Sequence, residues 1–161
     1  MKDFKVRPIA AKDDGAVADI IRTVMPEFGC SGPGFAIQDA EVDAMFSSYG
    51  QSGSAYFVIE HEGKILGGGG IAPLIGGDGL TCELRKMYFL PELRGKGLGQ
   101  QLMDHCLTAA VQNEFKLCYL ETMQAMTQAR ALYVRNGFEP LSAPLGATGH
   151  FSCDSWFLKS L

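Results

Sequence analysis

An α/β domain built on a strongly twisted, mixed β-sheet is predicted by three features of the sequence. Strand-like and helix-like periodicities succeed one another in the order β-α-α-β-β-β-α-β-α-β-β. A long helical segment, 97–112, separates strand segments 81–90 and 116–123, and a right-handed crossover of this kind makes the flanking strands parallel neighbours. The other strands follow one another through turns such as His61-Glu62-Gly63-Lys64 and should be mainly antiparallel.

Each element has its own signal. Residues 4–9 (FKVRPI) alternate as a short strand. Residues 11–25 place Val17, Ile20, Ile21 and Val24 on one helical face. Residues 26–35 hold three glycines and two prolines and read as a loop. Residues 37–49 are expected to form a second short helix, ended by Gly50-Gln51-Ser52-Gly53. A hairpin follows over 54–75; the run Gly67–Gly70 in its second strand is poor strand material and predicts close backbone packing or a bulge. In helix 97–112, Leu98, Leu102 and Cys106 fall at four-residue steps, as do Met103, Leu107 and Val111. Residues 127–136 form a short helix with Thr127 as candidate N-cap and Gly137 just past its end. Two closing strands are expected in 137–142 and 150–161.

Length and composition fit one soluble domain spanning 1–161, with 47% hydrophobic and 20% charged residues. The net charge of −4 argues against a general nucleic-acid binder, which would carry a basic footprint. No stretch approaches 18 apolar residues, and the N-terminus lacks an apolar run of signal length, so no membrane attachment is expected. Five cysteines with no CxxC pair fit reduced thiols and a cytoplasmic protein.

The string LPELRGKGLGQQL, 90–102, carries the most chemistry. It is neither a P-loop nor a dinucleotide fingerprint, because GxxxxGK is absent and position 100 is Gln where GxGxxG needs Gly. It places Arg94-Gly95-Lys96-Gly97-Leu98-Gly99-Gln100 after a strand and at the start of a helix. Unpaired helix N–H groups, the helix dipole and two cations there make an anion site, and glycine keeps it clear of side chains. The preceding strand changes parity: Cys82 and Leu84 are apolar on even numbers, Met87 and Phe89 on odd numbers. A β-bulge has this effect, and it frees backbone groups that an amide-bearing ligand can bind. Tyr88 and Leu90 are apolar as well, so burial of both strand faces is the alternative. Pantetheine amides followed by a diphosphate, as in coenzyme A, match this layout.

The segments CELRKMYFLPELRGKGLGQQLM, 82–103, and ALYVRNGF, 131–138, resemble the acetyl-CoA motif and the later helix-and-turn motif of the GCN5-related N-acetyltransferase (GNAT) superfamily. The similarity covers most of the chain and extends to the order of elements. It implies a GNAT-like acyl-CoA N-acyltransferase fold, acetyl-CoA as co-substrate and direct acetyl transfer to a primary amine of a small molecule or peptide. It also implies no metal, and a homodimer is compatible with it. By position it assigns Met87, Tyr88 and Phe89 to pantetheine pairing and Arg94, Gly95, Lys96, Gly97, Leu98, Gly99 and Gln100 to the pyrophosphate. Tyr133 matches the proton donor to the departing thiolate, and Glu83 a general base acting directly or through water. Glu121 is the rival base. Many members carry asparagine where this chain has Met126, a departure that removes one cofactor contact. Alternatives from other classes are a catalytically silent acyl-CoA-binding sensor and an acyltransferase using a longer acyl-CoA.

His150, Cys153 and Asp154 form a further chemical cluster. Metal binding would need ligands that are not local in sequence. A glycine-rich turn into the last strand is favoured, with His150 able to line the acceptor pocket and loop 28–35 to cover it.

Overall fold

The computed structural model describes residues 3–161. Seven strands form one sheet: β1 (Phe4–Pro8), β2 (Ala55–His61), β3 (Lys64–Pro73), β4 (Thr81–Phe89), β5 (Leu117–Thr122), β6 (Glu139–Leu141) and β7 (Ser155–Ser160). Their spatial order is β1-β2-β3-β4-β5-β7-β6. Only β4 and β5 are parallel; every other neighbouring pair is antiparallel, as the crossover rule requires.

The helices are α1 (Asp14–Glu27), α2 (Met45–Ser48), α3 (Leu98–Gln112) and α4 (Thr127–Arg135). They cover both faces of the sheet. Leu98, Leu102, Met103 and Cys106 of α3 pack with Leu132 and Tyr133 of α4 in one core. Val17, Ala18, Ile21 and Met25 of α1 pack with Val42, Met45 and Tyr49 in the other. This placement agrees with the spacing of apolar residues in both long helices. β4 is covered on both faces, and six of its nine residues are buried, Glu83 and Lys86 among them.

The parity slip in β4 is a bulge. Gly68 pairs with Tyr88 and Gly70 with Arg85, so Lys86 and Met87 together oppose Gly69. Lys86 sits at φ +49°, a left-handed conformation costly for a side-chain-bearing residue. The glycine run explains how the bulge is held. A Cβ at Gly68 would lie 2.7 Å from the Tyr56 ring and one at Gly70 2.3 Å from the Ala55 carbonyl oxygen. Their absence lets Tyr56 lie against the sheet and donate its hydroxyl to the Lys86 carbonyl at 2.7 Å.

Three local expectations need correction. Residues 37–49 are not one helix but 3-10 turns at Ala36–Gln38 and Ala40–Asp43, followed by the single-turn α2. Asp39 is extended (φ −65°, ψ 136°) and sends its side chain to β4, which interrupts the helix. Thr127 is the first helical residue rather than the cap, while Gly137 adopts φ +85° just beyond α4 as expected. The last strand begins at Ser155, leaving His150 and Cys153 in a loop.

Candidate active site

Strands β4 and β5 pair only at Thr81–Leu117, Cys82–Cys118 and Glu83–Tyr119. Beyond Glu83 they part, and a cleft opens along the rest of β4. At its wide end is a groove of about 560 Å³ lined by Met87, Tyr88, Phe89, Gly97, Gly99 and Gln100, among others. The Leu90 N–H bonds the Leu66 carbonyl on β3, so by antiparallel alternation the amide and carbonyl of Phe89 face the cleft. The carbonyl is taken by Arg94, so the Phe89 amide is the group left open there, and it is freed by the parting of β4 from β5 rather than by the bulge at Lys86 and Met87.

The glycine loop ends the groove. Gly97 caps α3 at φ +74°, which any other residue would adopt only under strain. The first N–H bonded back along the chain is that of Gln101, to the Gly97 carbonyl, so the earlier amides of this turn have no intrahelical partner. A Cβ on Gly95 or Gly97 would meet nothing within 4 Å, so the space beside the loop is open. Together these amides and this clearance fit a diphosphate.

The loop's side chains are less available than its backbone. Arg94 is tied to Glu27 at 3.0 Å and to the Phe89 carbonyl at 2.9 Å, so it braces the loop against α1 and β4. The Lys96 ammonium lies over the Phe4 ring at 5.3 Å. Gln100 exchanges two hydrogen bonds with Asn136, joining α3 to the end of α4. In all three the side chain is engaged within the protein, so the loop offers chiefly its main chain.

At the narrow end of the cleft lies a cavity of about 50 Å³, where Glu83, Glu121, Tyr133 and His150 meet. Glu83 is only 3% exposed. Its Oε1 accepts a bond from Arg85 Nε at 2.8 Å, the one hydrogen bond of this carboxyl among the described residues. Burial pushes the Glu83 carboxyl above the ordinary range; Arg85 pulls it back and nearby Glu121 adds to the rise. Glu121 is the opposite case. Burial again disfavours its charge, but bonds from His150, Thr148 and Tyr119 outweigh that and hold its carboxyl below the ordinary range.

His150 joins two loops. Its Nδ1 faces Glu121 Oε1 at 3.1 Å and its Nε2 faces Asp39 at 3.0 Å. Asp39, then Glu121, raises the imidazole to about 9, so near neutrality both nitrogens carry protons. Asp39 also accepts from Lys86 Nζ at 2.7 Å, and Lys86 donates its other bond to Glu41. The bulge thus aims the buried Lys86 side chain across α1's face of the sheet. Ligand atoms of Glu83, Glu121 and His150 lie within 4.8 Å of one another, a spacing a cation could use.

Tyr133 lines both the groove and the cavity. Its ring packs edge-on against Phe138, and it is 6% exposed. Its hydroxyl makes no hydrogen bond that perturbs it among the described residues, so it is not a satisfied core tyrosine. Burial, then Cys106, pushes this phenol upward and keeps it protonated. Met126, in the position where an asparagine was expected, lines the same junction. Sequence reasoning singled out Glu83, Glu121, Tyr133 and His150 but not Asp39 or Lys86. Lys86 had one signal, a cation inside the parity slip of an apolar strand; Asp39 had none.

Comparison with known proteins agrees with this geometry. The Acetyltransferase (GNAT) family model matches residues 17–138. An uncharacterized N-acetyltransferase of Escherichia coli, YjgM, is 43% identical over 97% of this chain and 94% of its own. A GNAT acetyltransferase of Staphylococcus aureus superimposes with a TM-score of 0.81 at 16% identity, covering 98% of this chain and 99% of that one. The structure of yncA from Salmonella typhimurium, described as an acetyltransferase and solved with its cofactor acetyl-CoA, gives 0.77 at 18% identity over 98% and 94% of the two chains. A seven-stranded sheet that parts between β4 and β5, a glycine loop opening α3 and a match over most of the chain lead to one conclusion: the protein belongs to the GNAT family of acetyl-CoA-dependent N-acetyltransferases.

Proposed function

We propose that this enzyme transfers the acetyl group of acetyl-CoA directly to a primary amine of a small molecule or peptide, with Glu83 as general base and Tyr133 as general acid. The observation that carries the reading is that Glu83, whose Oε1 alone is bonded to Arg85, and Tyr133, whose hydroxyl shows no hydrogen bond among the described residues, line one cavity. One can accept a proton and the other can give one.

Acetyl-CoA supplies the activated acetyl group, and the chain offers it fitting contacts. The main chain of Met87, Tyr88 and Phe89 runs along the pantetheine path. The amides of residues 95–100, with Gly95 and Gly97 clear of side chains, would meet the diphosphate. An amine attacks only when neutral, so its proton must leave. Glu83 is suited to take it, directly or through water, because burial has raised its carboxyl toward working pH. Glu121 is poorly suited, since its oxygens already accept three hydrogen bonds. It serves instead to hold His150. Tyr133 remains a phenol and gives its proton to the departing thiolate. No protein nucleophile is required. All five cysteines are unpaired, which supports a reducing, cytoplasmic setting.

Thiol release from acetyl-CoA, measured against a panel of primary amines, tests the reading. Turnover with at least one amine, lost in Glu83→Gln while acetyl-CoA still raises the Tm, is the expected result. Absence of thiol release with every amine would overturn it.

A further inference from the structure

The small cavity carries information about the acceptor that the family does not. Its roof consists of two loops pinned to one another. Ser152 donates its N–H to the Gly34 carbonyl at 3.2 Å and its hydroxyl to the Pro33 carbonyl at 2.7 Å. His150 and Asp39 close the same seam at 3.0 Å. A Cβ on Gly34 would stand 2.5 Å from Ser152 Oγ, so the loops are in close contact. Beneath them is about 50 Å³, space for about four water-sized groups.

The charges around that space are nearly all committed. Four carboxylates belong to the network (Asp39, Glu41, Glu83 and Glu121) against three cations (Arg85, Lys86 and His150). Each cation is already held. Arg85 is bonded to Glu83 and the Pro73 carbonyl, Lys86 to Asp39 and Glu41, and His150 to Asp39 and Glu121. Among the described residues the one buried charged group with an open oxygen is Glu83, and it lines the cavity. The formal balance is one positive charge short. Met25, Phe35 and Met123 give the cavity apolar wall beside these groups.

Resting on the N-acetyltransferase reading above, we infer that the acceptor is a compact monoamine whose body beside the amine is uncharged and apolar. Its ammonium supplies the missing charge against Glu83. An α-amino carboxylate brings a second negative charge to a site whose cations are all occupied, and desolvating it there without a partner is costly. A peptide N-terminus is neutral beside the amine but too large for the closed roof.

A matched set of acceptors separates these features: isobutylamine, valinamide, valine and a tripeptide beginning with valine, each tested for thiol release at saturating acetyl-CoA. Isobutylamine should exceed valine in kcat/KM by about 100-fold or more, with valinamide between them and the tripeptide inactive. Glu121→Gln removes one carboxylate charge, and its amine-to-valine ratio should fall about tenfold. That ratio is measured within one protein, so a general loss of activity cancels. Valine or the tripeptide turning over as well as isobutylamine would overturn the inference and leave the N-acetyltransferase reading standing. If acetyl-CoA raises the Tm but none of the four acceptors, nor any wider amine, releases thiol, both readings fall together.

Discussion

The groove beside the glycine loop and the cavity at Glu83 lie at two ends of one cleft, yet they are built differently. The groove encloses about 560 Å³ and presents mostly main chain, apolar side chains and glycines with empty space around them. The cavity encloses about 50 Å³ and is walled or backed by seven charged side chains that restrain one another. A backbone cradle recognises a fixed chemical group and survives changes in side chains. A side-chain network recognises through charge balance, and one substitution resets it. The first kind of site suits a co-substrate shared by a family, the second an acceptor particular to one enzyme.

Breaking the charged end should have the largest effect. Glu83→Gln keeps the shape and the Arg85 contact while removing the proton acceptor. It should lower kcat/KM by about 10²–10⁴. The rise in Tm caused by acetyl-CoA should persist, because the glycine cradle is untouched. Activity within threefold of the parent protein would remove Glu83 from the base role and turn attention to Glu121. Tyr133→Phe tests the point where the two ends join. The lost hydroxyl shows no hydrogen bond among the described residues, so the fold should tolerate the change. Turnover should fall about 10²-fold, at the low end of acid catalysis, with little change in acetyl-CoA affinity. Equal losses in turnover and affinity would instead make Tyr133 a wall of the groove.

The same contrast decides how much could be read from the sequence. The cofactor end is contiguous: one strand, one loop and one helix start, within residues 81–100. Its parity slip and its glycines are local consequences of local geometry; the bulge and a helix start beside the glycine loop followed from them, and the parallel β4–β5 pair from the crossover helix. The acceptor end joins Asp39, Glu83, Lys86, Glu121 and His150, separated by as many as 111 positions. No periodicity links Asp39 to His150, because both lie outside regular elements. For the same reason the helix expected over 37–49 was misplaced. The spacing of Val42, Met45 and Tyr49 records burial accurately, but the pull of Asp39 and Glu41 toward Lys86 breaks the helix that such spacing usually signifies.

Breaking the backbone end needs a pair of variants. Gly97→Ala and Gly97→Glu both force a side chain into φ +74°, and both Cβ atoms enter open space, so the cost of strain is shared. Only glutamate adds negative charge where a diphosphate would lie. At 100 times its dissociation constant, acetyl-CoA should stabilise the parent by about 2.7 kcal/mol, several degrees in Tm. Gly97→Ala should keep most of that shift and Gly97→Glu should lose it. A full shift in both variants would reduce the loop to a turn.

The smallest effect, and the one that most sharpens the comparison, concerns His150. Its ordinary pKa is 6.5 and Asp39 with Glu121 raises it to about 9 in the folded chain. A group whose folded pKa is raised contributes its stability fully below the unfolded pKa and loses it as pH rises through the folded one. The clasp between the two loops should therefore be fully formed below pH 6.5, weaken between 6.5 and 9, and contribute little above that. Asp39 and Glu121 are held below the ordinary carboxylate range and stay ionised throughout. His150→Gln removes the titrating charge but can still bridge the loops. Its deficit in stability relative to the parent should be roughly 2 kcal/mol below pH 6.5 and should shrink toward zero above pH 9. The rise in Tm given by acetyl-CoA should be the same in both proteins at each pH, because the groove does not use this residue. A deficit that stays constant from pH 6 to pH 10 would mean the imidazole is neutral when folded, and the acceptor cavity would then lack a cation the charge balance requires.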